Sequence, residues 1–540
     1  MPARVRFLTF LPVILALCTC QRAAPREVPP PGGTRTHVWV VAGRPVPGDG
    51  TRERPLRSLA EALARPGPLT VHLAGGTYLG PFTLPEGVRV EGLGSDSVLS
   101  VEGSDAPVLR AGRDAELVRL SVRGGGWGLE VSGGGRVRLE QVGFTGQRTG
   151  AVRVEAGRLE VEAGRFEATL AESTGILLEG GPLDTESVEE AAERTRAEGD
   201  ATTVDGAQPM PETGTAKAGP RPEVSRTGPD GVEARIIQST FVGPYRRAVR
   251  VLGTRVRVEL EDVHFSGPVS AVGVDSGHAE VRRAVAQGGT GSAFSVVNGA
   301  LVLEDVRVTG HEYGLSAMKA RRLAVRGFTS EGARRAGLGV VRSKGLLEDL
   351  VVKDSGGFGG LQLVESDMEV RRFRVEGSAE YGLSALKGAL RLRGGSITGV
   401  TSGDGIAGDG LDLRQVTADV EGVVVRDVAG ACVLAAQDAR VTLREVELRG
   451  CQRVGVTVDT FARLEAPSLN IHESGFALAA MGEGELRVDV LGASELAEGL
   501  IWTECKGATR VRLNRVTSED VRGLSAPCVE RGAGKPGAPR

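Results

Sequence analysis

The chain has 540 residues, with 66 basic against 69 acidic side chains and a net charge near −3. That balance excludes the basic stripe of a nucleic-acid binder, because the charges alternate with apolar residues and do not gather in blocks. With 79 glycines, 40% hydrophobic residues and only 4% aromatics, the chain can fill a long, thin core of small aliphatic side chains, but not a bulky aromatic one.

Residues 1–20 are predicted to be an export signal. Arg4 and Arg6 precede an apolar run from Phe7 to Leu17, too short to span a bilayer. The run ends in Leu17-Cys18-Thr19-Cys20, which resembles a lipobox. That resemblance implies lipidation of Cys20 and a membrane anchor at the N-terminus. Cys18 departs from the pattern, which has a small residue there. The plainer alternative is an ordinary secretory signal with two incidental cysteines. Gln21 stands where an inner-membrane retention signal has Asp, so the resemblance implies an outer-membrane lipoprotein, facing the periplasm or the surface. Residues 21–36 include Pro29-Pro30-Pro31-Gly32-Gly33 and are expected to be a polar tether.

Residues 37–181 are expected to hold an N-terminal cap and the first coils of a repeat. Asp49-Gly-Thr51 leads to Pro55-Leu-Arg-Ser-Leu59-Ala-Glu-Ala-Leu63, which sets Leu56, Leu59, Ala60 and Leu63 on one helical face. This predicts a capping helix over an open β edge. An extended stretch, Val71 to Tyr78, follows and ends in Gly-Thr-Tyr.

From there a Leu-x-x-Val-x-Val/Phe pattern recurs, clearest in Leu260-Glu-Asp-Val263-His-Phe265, Leu303-Glu-Asp-Val306-Arg-Val308 and Leu347-Glu-Asp-Leu350-Val-Val352. Its fourth residue falls at Leu120, Val142 and Gly164. It resumes at Thr240, Val263, Ala284, Val306, Phe328, Leu350, Phe373, Gly395, Val423, Val446, Leu469, Val490 and Val516. The usual step is about 22 residues. A second alternating stretch follows each marker, as in Tyr313-Gly-Leu-Ser-Ala317 and Tyr381-Gly-Leu-Ser-Ala385. Short period-2 strands of this kind bury their apolar faces only by coiling, each rung hydrogen-bonded to the next. The expected fold is therefore all-β: a single-stranded right-handed parallel β-helix with rungs of about 22 residues. Sixteen to eighteen rungs at ~4.8 Å make a rod of roughly 80 Å. Leucine-rich repeats are excluded by the scarcity of Asn, propellers by the period, and helical repeats by the density of Gly and Val.

The Asp-Gly-Thr segment, the Pro-led helix and the Gly-Thr-Tyr stretch together resemble the start of pectin-lyase-like β-helix proteins. The resemblance spans roughly residues 38 to 528. It implies the fold and leaves the activity open, since that fold carries lyases, hydrolases, epimerases and non-enzymes.

Two places break the period. The step from Gly164 to Thr240 exceeds one rung by about 54 residues, and the excess, 182–230, is rich in Glu, Thr, Pro, Ala and Gly. It is expected to be a low-complexity insertion. The main β-helix then covers 231–528, with a tail at 529–540. The second break is a 28-residue step from Gly395 to Val423.

An even cysteine count in an exported chain predicts disulfides. Cys505 and Cys528 lie about one rung apart and are expected to pair. Cys432 and Cys451 form a second candidate pair, about four residues out of phase. No zinc spacing occurs, and His264, His278, His311 and His472 share no phase.

The chemical motifs of the resembled family are missing, so no catalytic residue, metal site or cofactor is assigned. The 28-residue step contains Ser402-Gly-Asp404-Gly-Ile-Ala-Gly-Asp409-Gly-Leu-Asp412, whose three carboxylates Asp404, Asp409 and Asp412 are the oxygen set that calcium takes. A plain Gly-Asp turn fits the same letters. Tyr313 and Tyr381 are the candidate glycan contacts. Two functions remain. One is an anchored, non-catalytic scaffold for a polysaccharide or an envelope protein. The other is a divergent polysaccharide lyase, hydrolase or epimerase. The missing motifs favour the scaffold; a cluster of acidic and basic groups around residues 402–412 would favour the enzyme.

Overall fold

The computed structural model describes residues 35–183, 231–403 and 405–532. Each strand pairs in parallel with the strand one rung on, as in Leu301↔Leu323 and Leu323↔Gly345, and the strands join into one continuous right-handed solenoid. The lipidation candidate Cys20, most of the 182–230 insertion, the end of the tail and Asp404 lie outside the described residues.

From Leu120 to Val446, one corner of the rungs is a single residue in the left-handed region, directly before the marker. Arg119 (φ 50°), Asp262 (φ 54°), Asp305 (φ 55°) and Asp349 (φ 55°) occupy it, as does Gly327 (φ 66°). A side chain there carries a steric cost, least for Asp and Asn, and nothing but Gly avoids it. This explains the recurrent Glu-Asp pairs, whose Asp makes the bend. The pairs do not work on a common ligand. Arg283 on the intervening rung bonds both Asp262 and Glu261, and Arg372 bonds Asp349 at 2.7 Å and Glu348 at 2.6 Å.

A second corner breaks the inside-outside alternation. In Tyr381-Gly382-Leu383-Ser384, Gly382 faces the lumen: a Cβ there would lie 2.3 Å from Ile397 Cγ2. At Gly410 it would lie 2.4 Å from Val425 Cγ1. Two successive residues therefore point inward, and the residues at i and i+3 around them share the outer side.

The lumen is packed throughout. Phe144, Phe166, Phe241 and Phe265 form a column with ring centroids 5.3, 4.6 and 5.2 Å apart. Phe166 pairs directly with Phe241, so the register is continuous across the insertion. Both disulfides form. Cys432–Cys451 is fully buried in the lumen, and Cys505–Cys528 ties the last rungs.

Three expectations are corrected. No substantial capping helix exists: it is a single turn, Leu59–Leu63, with Ser58 as N-cap. Pro66 disfavours helical geometry at Arg65 and stops it from growing. A β-bridge, Val40↔Leu56, with Leu56 N–H donating to Trp39 O, meets the first strand instead. The marker near the insertion is Ser239, because Thr240 pairs with Arg165. The marker near the end is Leu491, the partner of Leu469, while Val490 is 37% exposed.

Candidate functional site

The outer faces of the solenoid differ sharply. One carries ladders of alternating Arg and Glu. Glu280, for instance, meets Arg257 at 2.9 Å, His278 at 3.0 Å and Arg282 at 3.1 Å. Another, beginning at the glycine corner, carries almost no charge for five rungs. Its first outward column runs Ser295, Ser316, Gly339, Gln362 and Ser384, and on the rung before them Gly273 stands two residues from Asp275. Beside it run Val297, Met318, Val341, Val364 and Leu386. Met318 is 47% exposed.

This strip ends at Asp412 and Arg414, which pair with Ser384 and Leu386. Asp412 accepts from Arg414 Nε at 2.8 Å and from Ser384 Oγ at 3.2 Å. Three residues earlier, across Gly410, stands Asp409, in register with Tyr381. Asp409 Oδ1 accepts from the Ala431 N–H at 2.7 Å. Burial pushes its carboxyl up to about 6, the neighbouring Asp412 adds to this, and the Ala431 bond, Arg414 and Arg453 oppose it. Burial also raises the Tyr381 phenol, with Asp412 adding to the effect.

The long rung is held over this pair. Gly408 and Asp409 both donate their N–H to Glu380 O, and Glu380 Oε1 accepts from the Gly403 N–H at 2.7 Å. Arg453, two rungs on, donates to Ile406 O at 2.9 Å and to Gly405 O. The extra residues thus form a fastened wall beside Asp409. Both carboxyls are buried, Asp409 at 8% and Asp412 at 4% exposure, but only Asp412 is ion-paired, and that difference is the arrangement that separates an acid from its charged partner.

Of the residues singled out in the sequence, the structure brings together Asp409, Asp412 and Tyr381. Tyr313 stands on the same column as Tyr381, three rungs away. Among the described residues no group of three or more His, Cys, Asp or Glu is placed to hold a metal. Reading the sequence alone missed Arg414, Arg453 and Glu380. The signal was the recurring x-Gly-Leu, which places residues three apart on one side. A larger groove of about 1050 Å³ lies near the C-terminal end, lined by His472, Ser494, Glu495, Leu496, Asp520 and Arg522. Asp520 there is held low by its hydrogen bond to Arg522.

No protein-family model matches this chain, and no curated protein does. Among solved structures, the pre-mature bacteriophage phi29 gene product 12 is similar at 10% identity, with 83% of this chain and 68% of that one covered and a TM-score of 0.38. The periplasmic alginate epimerase AlgG is similar at 9% identity, covering 82% and 78%, with a TM-score of 0.22. The catalytic unit of a GH87 alpha-1,3-glucanase from Streptomyces thermodiastaticus strain HF3-3 is similar at 10% identity, covering 85% and 64%, with a TM-score of 0.18. At these values the likeness is one of solenoid architecture and carries no argument about activity.

Proposed function

We propose that the chain is a polysaccharide-acting enzyme that holds a sugar chain along the uncharged strip and cleaves it by hydrolysis between Asp409 and Asp412. The observation that carries this reading is the pair itself: two buried carboxyls, Asp409 raised to about 6 and Asp412 ion-paired to Arg414, at the end of an uncharged strip. In this reading Asp409, protonated, donates to the leaving glycosidic oxygen. Asp412 serves as the base for water or as the nucleophile. Tyr313 and Tyr381 flank the strip and offer ring faces to sugars. The fastened 405–408 segment keeps bulk water from Asp409 and so holds its proton affinity up.

The test is a reducing-end assay over a panel of polysaccharides, with unsaturated-uronate detection in parallel to catch elimination. Release of reducing ends by the wild type, lost in Asp409→Asn and Asp412→Asn, supports the reading. Binding without turnover would return the chain to the scaffold role, and turnover unchanged in both variants would move the chemistry elsewhere. The location is inferred from the sequence alone: lipid on Cys20 and residence at the outer membrane. Cys20→Ala should shift the protein into the soluble fraction, and retention in the membrane fraction counts against the anchor.

A further inference from the structure

The two outward positions that hold Asp409 and Asp412 also exist at the other end of the strip, where Arg247 and Arg250 fill them. Ala248 and Val249 between them are both fully buried, so the same kink turns both arginines outward. The register runs Arg250↔Gly273↔Ser295↔Ser316↔Gly339↔Gln362↔Ser384↔Asp412, seven rungs or about 34 Å at ~4.8 Å each. The Arg247 side chain lies over the strip floor: a Cβ on Gly273 would sit 2.9 Å from Arg247 Nε.

Most of the arginines on the ladder face are matched by a carboxylate. These two are not. Among the described residues neither makes an ion pair, and Arg250 Nε is buried without a hydrogen-bond partner. Burial and the like charges of Arg250 and Arg246 together depress the Arg247 guanidinium, with Asp275 in weak opposition. Two guanidinia half-withdrawn from water and repelling each other gain most from an oxyanion, which accepts bidentate hydrogen bonds from such forks.

We propose that Arg247 and Arg250 form an oxyanion-binding subsite for a sulfate, phosphate or carboxylate group borne by the glycan on the strip. The role toward a glycan rests on the strip being a sugar site; the anion affinity does not. The subsite would select substrates with an acidic group some seven rungs from the bond acted on at Asp409 and Asp412.

The experiment uses the full chain at constant ionic strength. Inorganic sulfate and phosphate are titrated calorimetrically, and so are sulfated, uronate-bearing and neutral oligosaccharides long enough to span the strip. The wild type should bind one inorganic oxyanion per chain and prefer at least one anionic series over the neutral one by tenfold or more. Arg247→Gln and Arg250→Gln should erase both effects while leaving neutral binding unchanged, with Arg250→Lys between. Melting curves establish that the variants are folded. The sulfated and uronate arms report which group is read. Neutral and anionic chains bound equally by the wild type would overturn the subsite and leave the strip intact. Inorganic anion bound through Arg250 with no oligosaccharide bound would keep the subsite and sink the sugar strip. No anion bound by any form would overturn the inference.

Discussion

The ladder face and the strip are built from strands of the same rungs, yet their outward residues answer different demands. On the ladder face most arginines sit beside a carboxylate one rung away or two residues along, as Arg136 and Arg158 do around Glu160. Charges stacked at rung spacing repel unless they alternate, so alternation keeps the rod soluble and its outer surface neutral overall. On the strip the charges are gathered at the two ends, and the floor between them is Gly, Ser and Gln. An exposed face that forgoes charge gives up solubility, and contact with a ligand is the gain that offsets it. The difference is what the proposed sugar site rests on, without reference to any relative.

The sharpest way to break the comparison is at its acidic end. Asp409→Asn should lower turnover by about 10²–10⁴-fold, measured with the best substrate of the panel. Activity should also fall as pH rises through about 6, because the acid loses its proton there. The same substitution should stabilise the fold. A carboxyl whose folded value is raised costs stability once ionised, so at pH 7 removing the charge returns on the order of 2 kcal/mol, readable in a thermal melt. A variant that lost activity and stability together would argue for a merely structural Asp409.

Gly410→Ala tests the corner that puts Asp409 and Asp412 on one side. Its Cβ would press on Val425 Cγ1 at 2.4 Å and on Cys432 O at 2.6 Å. The expected loss is about 1–3 kcal/mol, with lower activity at temperatures where the variant remains folded. His311 tests the lumen away from both faces. It is fully buried, its Nε2 has no partner, and burial pushes it down to about 4. A base lowered in the fold contributes stability that is complete above its unfolded value of ~6.5 and is lost as pH falls through about 4. Acid titration of the melting temperature should show this drop, up to about 3 kcal/mol, and His311→Leu should flatten it.

Gly339→Glu sets a charge in the middle of the strip. The nearest atom to its Cβ is Tyr313 Cε1 at 3.3 Å, so the fold bears it once the Tyr313 ring moves aside by a few tenths of an ångström. Oligosaccharide binding should weaken about tenfold, roughly 1.4 kcal/mol. The smallest effect belongs to the ladder. Glu280 is held at about 2, first by its hydrogen bond to His278 and then by Arg257 and Arg282. Its contribution is present above the ordinary carboxylate value and is lost as pH falls through about 2. Glu280→Gln at pH 7 should cost about 1 kcal/mol and leave sugar binding untouched. A larger effect on binding than on stability would erase the distinction between the faces.

Period, parallel pairing and the Cys505–Cys528 disulfide were legible in the sequence, because each follows from spacing along the chain; Cys432–Cys451, out of phase, was legible only as a candidate pair. The slips at Thr240 and Val490 came where a rung gains or loses a residue, a local geometry that a period cannot resolve. The helix was overestimated because the pattern from Leu56 to Leu63 fits a helical face, while Pro66 limits it to one turn. Asp409 and Asp412 were readable as carboxylates in a long rung, but their shared side was not. Strict alternation puts residues three apart on opposite faces, and the inward Gly410 reverses that. The same reversal hid Arg247 and Arg250, where Ala248 takes the place of glycine and leaves no obvious mark.

The in-register join between Phe166 and Phe241 has a consequence for building with this molecule. Gly180 and Val232 stand at one corner, close enough that a Cβ on Gly180 would touch Val232 Cγ2 at 3.3 Å. The chain leaves the solenoid and re-enters it at almost the same point. Such a junction suits insertion: a foreign domain whose own termini lie close together, grafted there, asks no rung to shift.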